Sequence, residues 1–172
     1  MESALAQKTD KLVKILHFSI GSIDFAIRLS DVDEVVKLMD IRKIPRVPVF
    51  IEGVLHLRGD LVIVINLKKL LAVKGGYHPK SKIIIFTLFD RKIGFIVDDV
   101  SRILQKPEDQ FLPPPPVILR GPAPECINGV VEEKGKNLLL LDLKKSLSAL
   151  EEERLNQVLQ RELSLLIDRI NE

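Results

Sequence analysis

The chain contains the same pattern twice, and this internal repeat restricts its possible folds more than any single residue does. At a shift of 76 positions, Gly53 and Gly59 fall on Gly129 and Gly135, and the apolar residues around them also match. An earlier block of each half matches at a shift of 68, and four consecutive prolines at 113–116 mark the insertion that separates the two shifts. Such self-similarity predicts two copies of one supersecondary unit that bury their apolar faces against each other. We therefore expect a function that uses paired surfaces.

The composition is that of a folded protein of moderate size. With 172 residues, of which 46% are hydrophobic and 29% are charged, the chain can form one domain, or two small closely packed ones, with a substantial core. Its longest apolar stretch within the repeats, 61–65, is far shorter than the roughly 20 residues of a membrane helix. Residues 1–14 lack the apolar core of a signal peptide. We expect a cytoplasmic protein with no direct membrane insertion.

Charge, cysteine and histidine content argue against several classes of function. The formal net charge is +2, and no Lys/Arg cluster is interleaved with aromatic residues, so nucleic acid is not an expected partner. The single cysteine, Cys126, cannot form an internal disulfide, which suits a reducing compartment. His17, His56 and His78 lack metal-ligand spacing, and no nucleophile with a partnered base can be identified. We expect no catalytic residues, no metal and no cofactor.

Short strands joined by turn residues account for most of the two repeats. Segments rich in Ile and Phe with partial period-two alternation predict four β-hairpins, with strands at 13–20 and 24–29, 53–57 and 61–67, 82–88 and 92–97, and 129–132 and 137–143. Gly59 and Gly135 supply the positive φ of a tight turn, and we assign Gly53 and Gly129 to structural turns as well. Short strands of this kind favour small barrels, and two copies favour two barrels that share an interface.

A further alternating segment, 33–39, follows the first hairpin and leads into a proline-containing stretch. Pro45 and Pro48 cannot donate ladder hydrogen bonds, so the stretch is predicted to be an edge or a connector and not a central strand. Such a connector cannot be wholly internal, and its apolar residues are therefore candidates for contact with a partner. They are Ile41, Ile44 and Val47.

The C-terminal segment 148–171 has a helical pattern. Ser148 and Glu151 have capping-box spacing, and apolar residues follow at helical intervals on one face. This stripe consists of Leu155, Val158, Leu159, Leu163, Leu166 and Ile170. We expect an amphipathic helix whose stripe covers a barrel edge of its own chain or, alternatively, binds a partner or a second copy.

The first repeated hairpin carries a resemblance to a known family. Gly53, followed by Leu57-Arg58-Gly59 and an apolar strand, resembles the signature of the CheW-like chemotaxis coupling proteins, in which a glycine precedes Asn-Leu-Arg-Gly and a Pro-Val-x-Asp-Leu strand follows. The sequence departs from this signature at His56, Ile63 and Asn66, where the family has Asn, Pro and Asp. Residues 93–100, the proline-rich linker and 127–130 also match the family in order, so the resemblance covers about 12–147.

The resemblance implies a mainly β fold of two small five-stranded, SH3-like barrels packed together, the first at about 12–76 and the second at about 80–147, followed by the helix 148–171. It also implies that the chain is not an enzyme. Members of the family bridge the cytoplasmic tip of a chemoreceptor, a methyl-accepting chemotaxis protein, to the regulatory domain of the histidine kinase CheA, which is itself CheW-like. The alternative is a CheW-like adaptor in a non-flagellar pathway that governs pilus motility or development.

Arg58 is the residue that we expect to matter most for the receptor contact. It is the long cation on the hairpin tip, and its repeat equivalent Lys134 lacks the planar fork that pairs with carboxylates. We predict that Arg58 pairs with a carboxylate of 31–34, first of all Glu34, and so shapes the edge of a groove between the barrels. The alternative is an exposed arginine on a turn, worth about 0 to 1 kcal/mol in any pair that it makes.

Apolar positions complete the two predicted contact surfaces. The receptor candidates are Val32, Val35 and Val36, which form a docking surface if they are exposed and belong only to the core if they are buried. The kinase candidates are the connector residues Ile41, Ile44 and Val47.

Overall fold

The computed structural model describes residues 11–88, 90–116 and 126–142, together with positions 145, 157, 160, 161, 164, 165, 168 and 169. The strands of this part are β1 (Leu12–Ile20), β2 (Ile23–Arg28), β3 (Glu34–Lys37), β4 (Ile51–Leu57), β5 (Asp60–Asn66), β6 (Lys82–Leu88), β7 (Arg91–Val97), β8 (Asp99–Pro107), β9 (Ile127–Glu133) and β10 (Lys136–Leu141). A short helix, α1 (Leu67–Leu70), and two 3-10 turns, Leu29–Asp31 and Glu108–Gln110, are the other regular elements. All four predicted hairpins are present, whereas β8 and α1 were not predicted.

The strands form two sheets that share one plan. Sheet I has the order β8-β1-β2-β10-β9, and sheet II has the order β3-β6-β7-β5-β4. The sequence repeat relates each strand of β1 to β5 to the strand five places later, so that β1 corresponds to β6, β2 to β7, β3 to β8, β4 to β9 and β5 to β10. When each strand of sheet I is replaced by its repeat equivalent, the order of sheet II results. The predicted mainly β fold of two equivalent five-stranded units is therefore confirmed.

The boundary between the two units differs from the one that the repeat suggested. Sheet II consists of β3 to β7 and is thus the continuous stretch 34–97, whereas sheet I combines β1 and β2 with β8 to β10. Each half of the sequence therefore contributes strands to both barrels. The predicted division of the barrels into 12–76 and 80–147 is corrected accordingly.

The link between β7 and β8 explains why the halves exchange strands. Only Asp98 separates the end of β7 from the start of β8. If β8 paired with β6 as it pairs with β1, it would be antiparallel to β6 and therefore parallel to β7. The chain leaves β7 at its end, so it would first have to run back along the whole of β7 before β8 could begin. That strand has 7 residues and is about 23 Å long at the usual rise of an extended chain. One residue spans at most about 3.6 Å, so β8 continues forward into sheet I.

Each barrel has a core of its own. The cluster inside sheet I consists of Ile15, Ala26, Leu104, Val131, Leu138 and Leu140. The cluster inside sheet II consists of Leu55, Val62, Val64, Ile83, Ile85 and Ile96. Most members of one cluster are repeat equivalents of members of the other, for example Ile15 of Ile83 and Leu138 of Val62. The duplication is thus preserved in the packing as well as in the strand order.

A third and larger apolar cluster lies between the barrels. Phe18 and Phe25 of sheet I stack with ring centroids 5.7 Å apart, and Phe86 and Phe95 of sheet II meet edge to face at 4.8 Å. All four rings belong to one cluster that takes residues from both sheets. Burial of large aromatic and aliphatic side chains is strongly favourable, so this cluster holds the two barrels against each other.

The repeated glycines fall into two structural classes. Gly59 (φ +83°) and Gly135 (φ +80°) occupy two-residue hairpin turns, as predicted. Gly53 and Gly129, which were also assigned to turns, instead lie inside β4 and β9. A Cβ on Gly53 would lie 2.2 Å from the carbonyl oxygen of Arg42. Glycine at this position therefore allows the connector before β4 to approach the strand closely.

Most of the predicted C-terminal helix 148–171 lies outside the described residues. The described positions within it, from 157 to 169, are helical and exposed, but none of them belongs to the predicted apolar stripe. The guanidinium of Arg161 donates a hydrogen bond of 3.3 Å to the carbonyl of Pro45. Within the described part of the chain, no helix is long and apolar enough to cross a membrane.

Candidate functional site

An ion pair joins the two outer strands of sheet II. Arg58 lies in the turn after β4 with φ +49°, and its Nη2 donates a hydrogen bond to Oε1 of Glu34 at the start of β3. The predicted partner of Arg58 is thus confirmed as a contact. Arg58 is exposed and Glu34 is half-buried, and the hydrogen bond to Glu34 raises the pKa of Arg58. The pair closes the barrel at its rim and remains accessible to a partner.

A second polar cluster lies at the same rim. Oδ2 of Asp33 accepts hydrogen bonds from Thr87 Oγ1 at 2.6 Å and from Lys92 Nζ at 2.9 Å. The hydrogen bond from Thr87, followed by that from Lys92, holds the pKa of Asp33 below its ordinary value. Because Thr87 lies on β6 and Lys92 on β7, the cluster ties the start of β3 to two neighbouring strands.

The outer strands of sheet I are also joined by charged residues. Glu133 on β9 accepts a hydrogen bond of 3.4 Å from Nη2 of Arg102 on β8, and its other oxygen lies 2.5 Å from Nζ of Lys106. The hydrogen bond from Lys106 lowers the pKa of Glu133. Each barrel is thus closed by ion pairs between its first and last strands.

Two charged positions of the rims carry opposite signs in the two barrels, whereas Arg58 and its equivalent Lys134 are both cations. At the repeat shift of 68, Arg102 takes the place of Glu34, and Asp24 takes the place of Lys92. The strand register gives the same equivalence. Arg102 is paired with His17, Glu34 is paired with Ile85, and Ile85 is the repeat equivalent of His17. His17 Nε2 and Asp24 Oδ1 lie 2.9 Å apart. Comparison of the two halves residue by residue could have revealed this inversion, but the sequence reasoning compared only Arg58 with Lys134.

The predicted apolar receptor residues differ in accessibility. Val35 on β3 is 37% exposed, and its repeat equivalent Ile103 on β8 is exposed as well. Val32 packs partly buried against the cluster between the barrels, and Val36 packs against the core of sheet II. Val35 is thus the apolar residue of this set that can contact a partner most freely.

The connector between β3 and β4 is more deeply buried than the sequence suggested. Ile44 is only 8% exposed and belongs to the cluster between the barrels, so its predicted availability to a partner is wrong. A connector can run along the surface and still insert a side chain into the core. Ile41 and Val47 are partly buried, whereas Val49, which the sequence reasoning did not single out, is 73% exposed.

A half-buried polar contact lies at the point where the chain passes from sheet II to sheet I. Asp98 accepts a hydrogen bond of 2.6 Å from the backbone N–H of Gly21 and forms an ion pair of 2.9 Å with Lys68. Lys68 also donates to the carbonyl of Gly76 at 2.8 Å. The carboxylate therefore joins the β1–β2 turn of sheet I to α1, which follows β5 of sheet II. Asp98 was part of the family resemblance, but no role had been predicted for it.

The described residues show no arrangement suited to metal binding. No group of three or more His, Cys, Asp or Glu side chains among them could hold a metal ion. The features of the described part of the chain that a partner could contact are the two barrels, their two charged rims and the surfaces between the barrels.

Comparisons with known proteins give a consistent result. The sequence matches the model of the CheW-like domain family over residues 14–151. It is 30% identical over 151 residues to chemotaxis protein CheW of Treponema pallidum, covering 85% of this chain and 88% of that protein. Protein FrzA of Myxococcus xanthus is 28% identical over 137 residues, or 78% and 83% of the two chains. The crystal structure of scaffolding protein TtCheW from Thermoanaerobacter tengcongensis has a TM-score of 0.75 at 33% identity and covers 82% of this chain and 91% of that one.

Proposed function

Because the chain belongs to the CheW-like family, we propose that it is a non-catalytic adaptor that couples chemoreceptors to a CheA-type histidine kinase in chemotaxis signalling. The observation that carries this proposal is the pair of equivalent barrels, which presents separate surfaces on one molecule. An adaptor between receptor tips and a kinase works in the cytoplasm. Neither nucleic acid nor membrane insertion has a place in this function.

The receptor surface of the proposal is the side of sheet II that faces the groove between the barrels. Val35 is exposed there and Val32 is partly buried against the cluster between the barrels, whereas Val36, on the opposite face of β3, packs against the core of sheet II. The Arg58–Glu34 pair forms the rim. A helical hairpin with an apolar face can dock in such a groove, as amphipathic helices do in other recognition complexes. The ion pair then sets the shape of the groove edge and offers polar groups to the partner.

The kinase surface of the proposal is the barrel end together with the connector before β4. Ile41 and Val47 are accessible in part, and two charged positions of the rims carry opposite signs in the two barrels. The regulatory domain of the kinase is itself expected to be CheW-like, so residues of opposite charge at equivalent rim positions can face each other. Complementary charges of this kind set orientation and association rate more than affinity.

Reversal of the charge at Arg58 tests the receptor part of the proposal. Arg58→Glu places two carboxylates at the rim, and we expect receptor-dependent activation of the kinase to fall, measured as phosphate transfer in a mixture of receptor, adaptor and kinase. Lys134→Glu is the matched control, because it makes the same change at the equivalent turn of the other barrel. The double variant Arg58→Glu with Glu34→Arg restores an ion pair and should recover part of the activity. Unchanged coupling by a folded Arg58→Glu protein contradicts the role of this rim.

A second candidate is a CheW-like adaptor of a non-flagellar pathway. It is favoured by the similarity to a protein that does not carry the CheW name, FrzA. The two candidates differ in the receptor and kinase that the adaptor joins. Co-purification with each kinase of CheA type in the cell separates them, and failure to bind any such kinase contradicts both.

A further inference from the structure

Two lysines face each other at the edge of sheet II. Lys37, the last residue of β3, and Lys82, the first residue of β6, are directly opposite in the antiparallel register. Like charges in this position destabilise a sheet. Among the residues that the structure describes, neither lysine has a salt-bridge partner. In the free protein, no ion pair of the described residues therefore offsets the repulsion between these two lysines.

The same lysines line a groove with a positive balance of charge. The groove has a volume of about 460 Å³, and its ionisable residues are Lys37, Lys80, Lys82 and Asp99. Three cations thus face one carboxylate. The turn that carries Lys80 is ordered by its own hydrogen bonds, since the N–H of His78 donates to Ser81 Oγ and the N–H of Ser81 donates to the carbonyl of His78, both at 2.9 Å.

The lysines lie on the side of sheet II that faces the other barrel. Ile83 belongs to the core inside sheet II, whereas Ile84 belongs to the cluster between the barrels. Because side chains alternate along a strand, Lys82 lies on the same face as Ile84, and so does its partner Lys37. Val35, two residues before Lys37, is 37% exposed on this face. Cations beside an exposed apolar residue suit a partner segment that is both acidic and apolar.

The other barrel lacks this feature at the equivalent place. The repeat equivalents of Lys82 and Lys37 are Lys14 and Gln105, and these two residues are also paired in register. A lysine opposite a glutamine carries no repulsion between like charges. The fold therefore does not require two lysines at this position of the repeat.

We propose that the lysine groove, defined by Lys37, Lys80 and Lys82, binds a carboxylate-bearing segment of a partner protein. Within the proposed function, on which this identification of the partner rests, the segment belongs to the chemoreceptor tip. Carboxylates between the lysines offset the repulsion of the positive charges, and this stabilises the complex relative to the free protein. Because the groove is open to solvent, salt screens the attraction over about 8 Å at physiological ionic strength.

Lys37→Gln tests the groove, because it reproduces the Lys14–Gln105 pair of the other barrel. We expect the thermal midpoint of the free protein to stay unchanged or rise, while the affinity for a chemoreceptor cytoplasmic fragment falls about two- to fivefold, as exposed charge pairs allow. The affinity of the variant should also depend less on salt. Lys14→Gln is the matched control and should leave affinity unchanged. An undiminished affinity of Lys37→Gln, or an equal loss in Lys14→Gln, overturns the proposal.

A second probe tests the groove without the receptor. Titration of the wild-type protein with a hexaglutamate peptide, followed by NMR of the lysine side chains, should shift the signals of Lys37, Lys80 and Lys82 more than that of Lys14. Replacement of Lys82 by Gln should reduce these shifts. If the peptide perturbs all four lysines equally, the lysine groove does not select carboxylates and the proposal fails. If the peptide binds the groove but the receptor fragment does not bind the protein, the proposed receptor function fails instead.

Discussion

Replacement of Gly53 by alanine should break the contact between β4 and the connector that precedes it. Gly53 has φ +154°, and an added Cβ would lie 2.2 Å from the carbonyl oxygen of Arg42 and 2.9 Å from Cγ2 of Ile41. An atom cannot occupy that place, so either β4 or the connector must move. Two backbone hydrogen bonds hold them together next to this site, from Arg42 N to Val54 O at 2.8 Å and from Val54 N to Arg42 O at 2.9 Å.

The size of the effect follows from these contacts. Backbone strain of an L-residue in an unfavourable φ region costs about 1 to 3 kcal/mol. Loss of the two hydrogen bonds costs about 1 kcal/mol each. We therefore expect Gly53→Ala to lower the free energy of unfolding by about 3 to 5 kcal/mol. Urea titration, followed by circular dichroism and extrapolated to water, measures this quantity.

The duplication provides a matched control for this experiment. Gly129 is the repeat equivalent of Gly53, but its φ lies outside the left-handed region, and an added Cβ would lie 3.0 Å from the carbonyl oxygen of Leu112. A shift of a few tenths of an ångström accommodates that contact, so Gly129→Ala should cost only about 1 kcal/mol. Equal losses in the two variants, or a loss below about 1 kcal/mol for Gly53→Ala, refute the reasoning from the Arg42 contact.

Three further predictions concern charged and apolar side chains. Asp98→Asn removes the charge that Lys68 and the N–H of Gly21 face and should lower the free energy of unfolding by about 3 kcal/mol, as for a largely buried pair that loses one partner. Urea titration measures this loss, with Asp99→Asn at the neighbouring exposed position as the control. Equal losses in the two variants contradict the role of Asp98. The folded-state pKa of Asp33 is lowered by Thr87 and Lys92, so its stabilising effect is complete above its unfolded pKa and is lost as pH falls through the folded one. The difference in unfolding free energy between wild type and Asp33→Asn should be constant from pH 7 to 5 and shrink below about pH 4; a difference that persists at low pH contradicts this assignment. Ile44→Ala should cost about 2 to 4 kcal/mol because the side chain is buried between the barrels, whereas Val49→Ala, at an exposed position, should change stability by less than about 0.5 kcal/mol. Differential scanning calorimetry compares the two, and an equally stable Ile44→Ala protein shows that the residue is a surface contact after all.

The candidate site was predictable in part. The fork of Arg58 and the nearby carboxylates identified the Arg58–Glu34 contact, because both residues lie beside predicted strands and a guanidinium pairs well with a carboxylate. The accessibility of Val35 and the burial of Ile44 could not be read from the sequence. Val35 lies on an edge strand and Ile44 in the connector that follows it, and only the packing of the two barrels decides which of these apolar residues is exposed to solvent.

The sequence by itself determined the units of this fold. The repeated glycines and the alternation of apolar residues specify hairpins, and the two shifts show that there are two copies of one strand pattern. Alternation, however, specifies which face of a strand is buried and says nothing about its partner. The apolar pattern therefore cannot distinguish which of two equivalent strands pairs with a given hairpin.

The tertiary structure alone decided which hairpin each outer strand joins. β3 pairs with β6 and β8 with β1, so the halves exchange strands, and the physical reason is the single residue between β7 and β8. Asp98 is too short a link for the chain to turn back along β7, and the strand thus continues into the other sheet. This exchange brings the lysines of β3 and β6 into register and places the surfaces of the adaptor between two barrels that neither half could form alone.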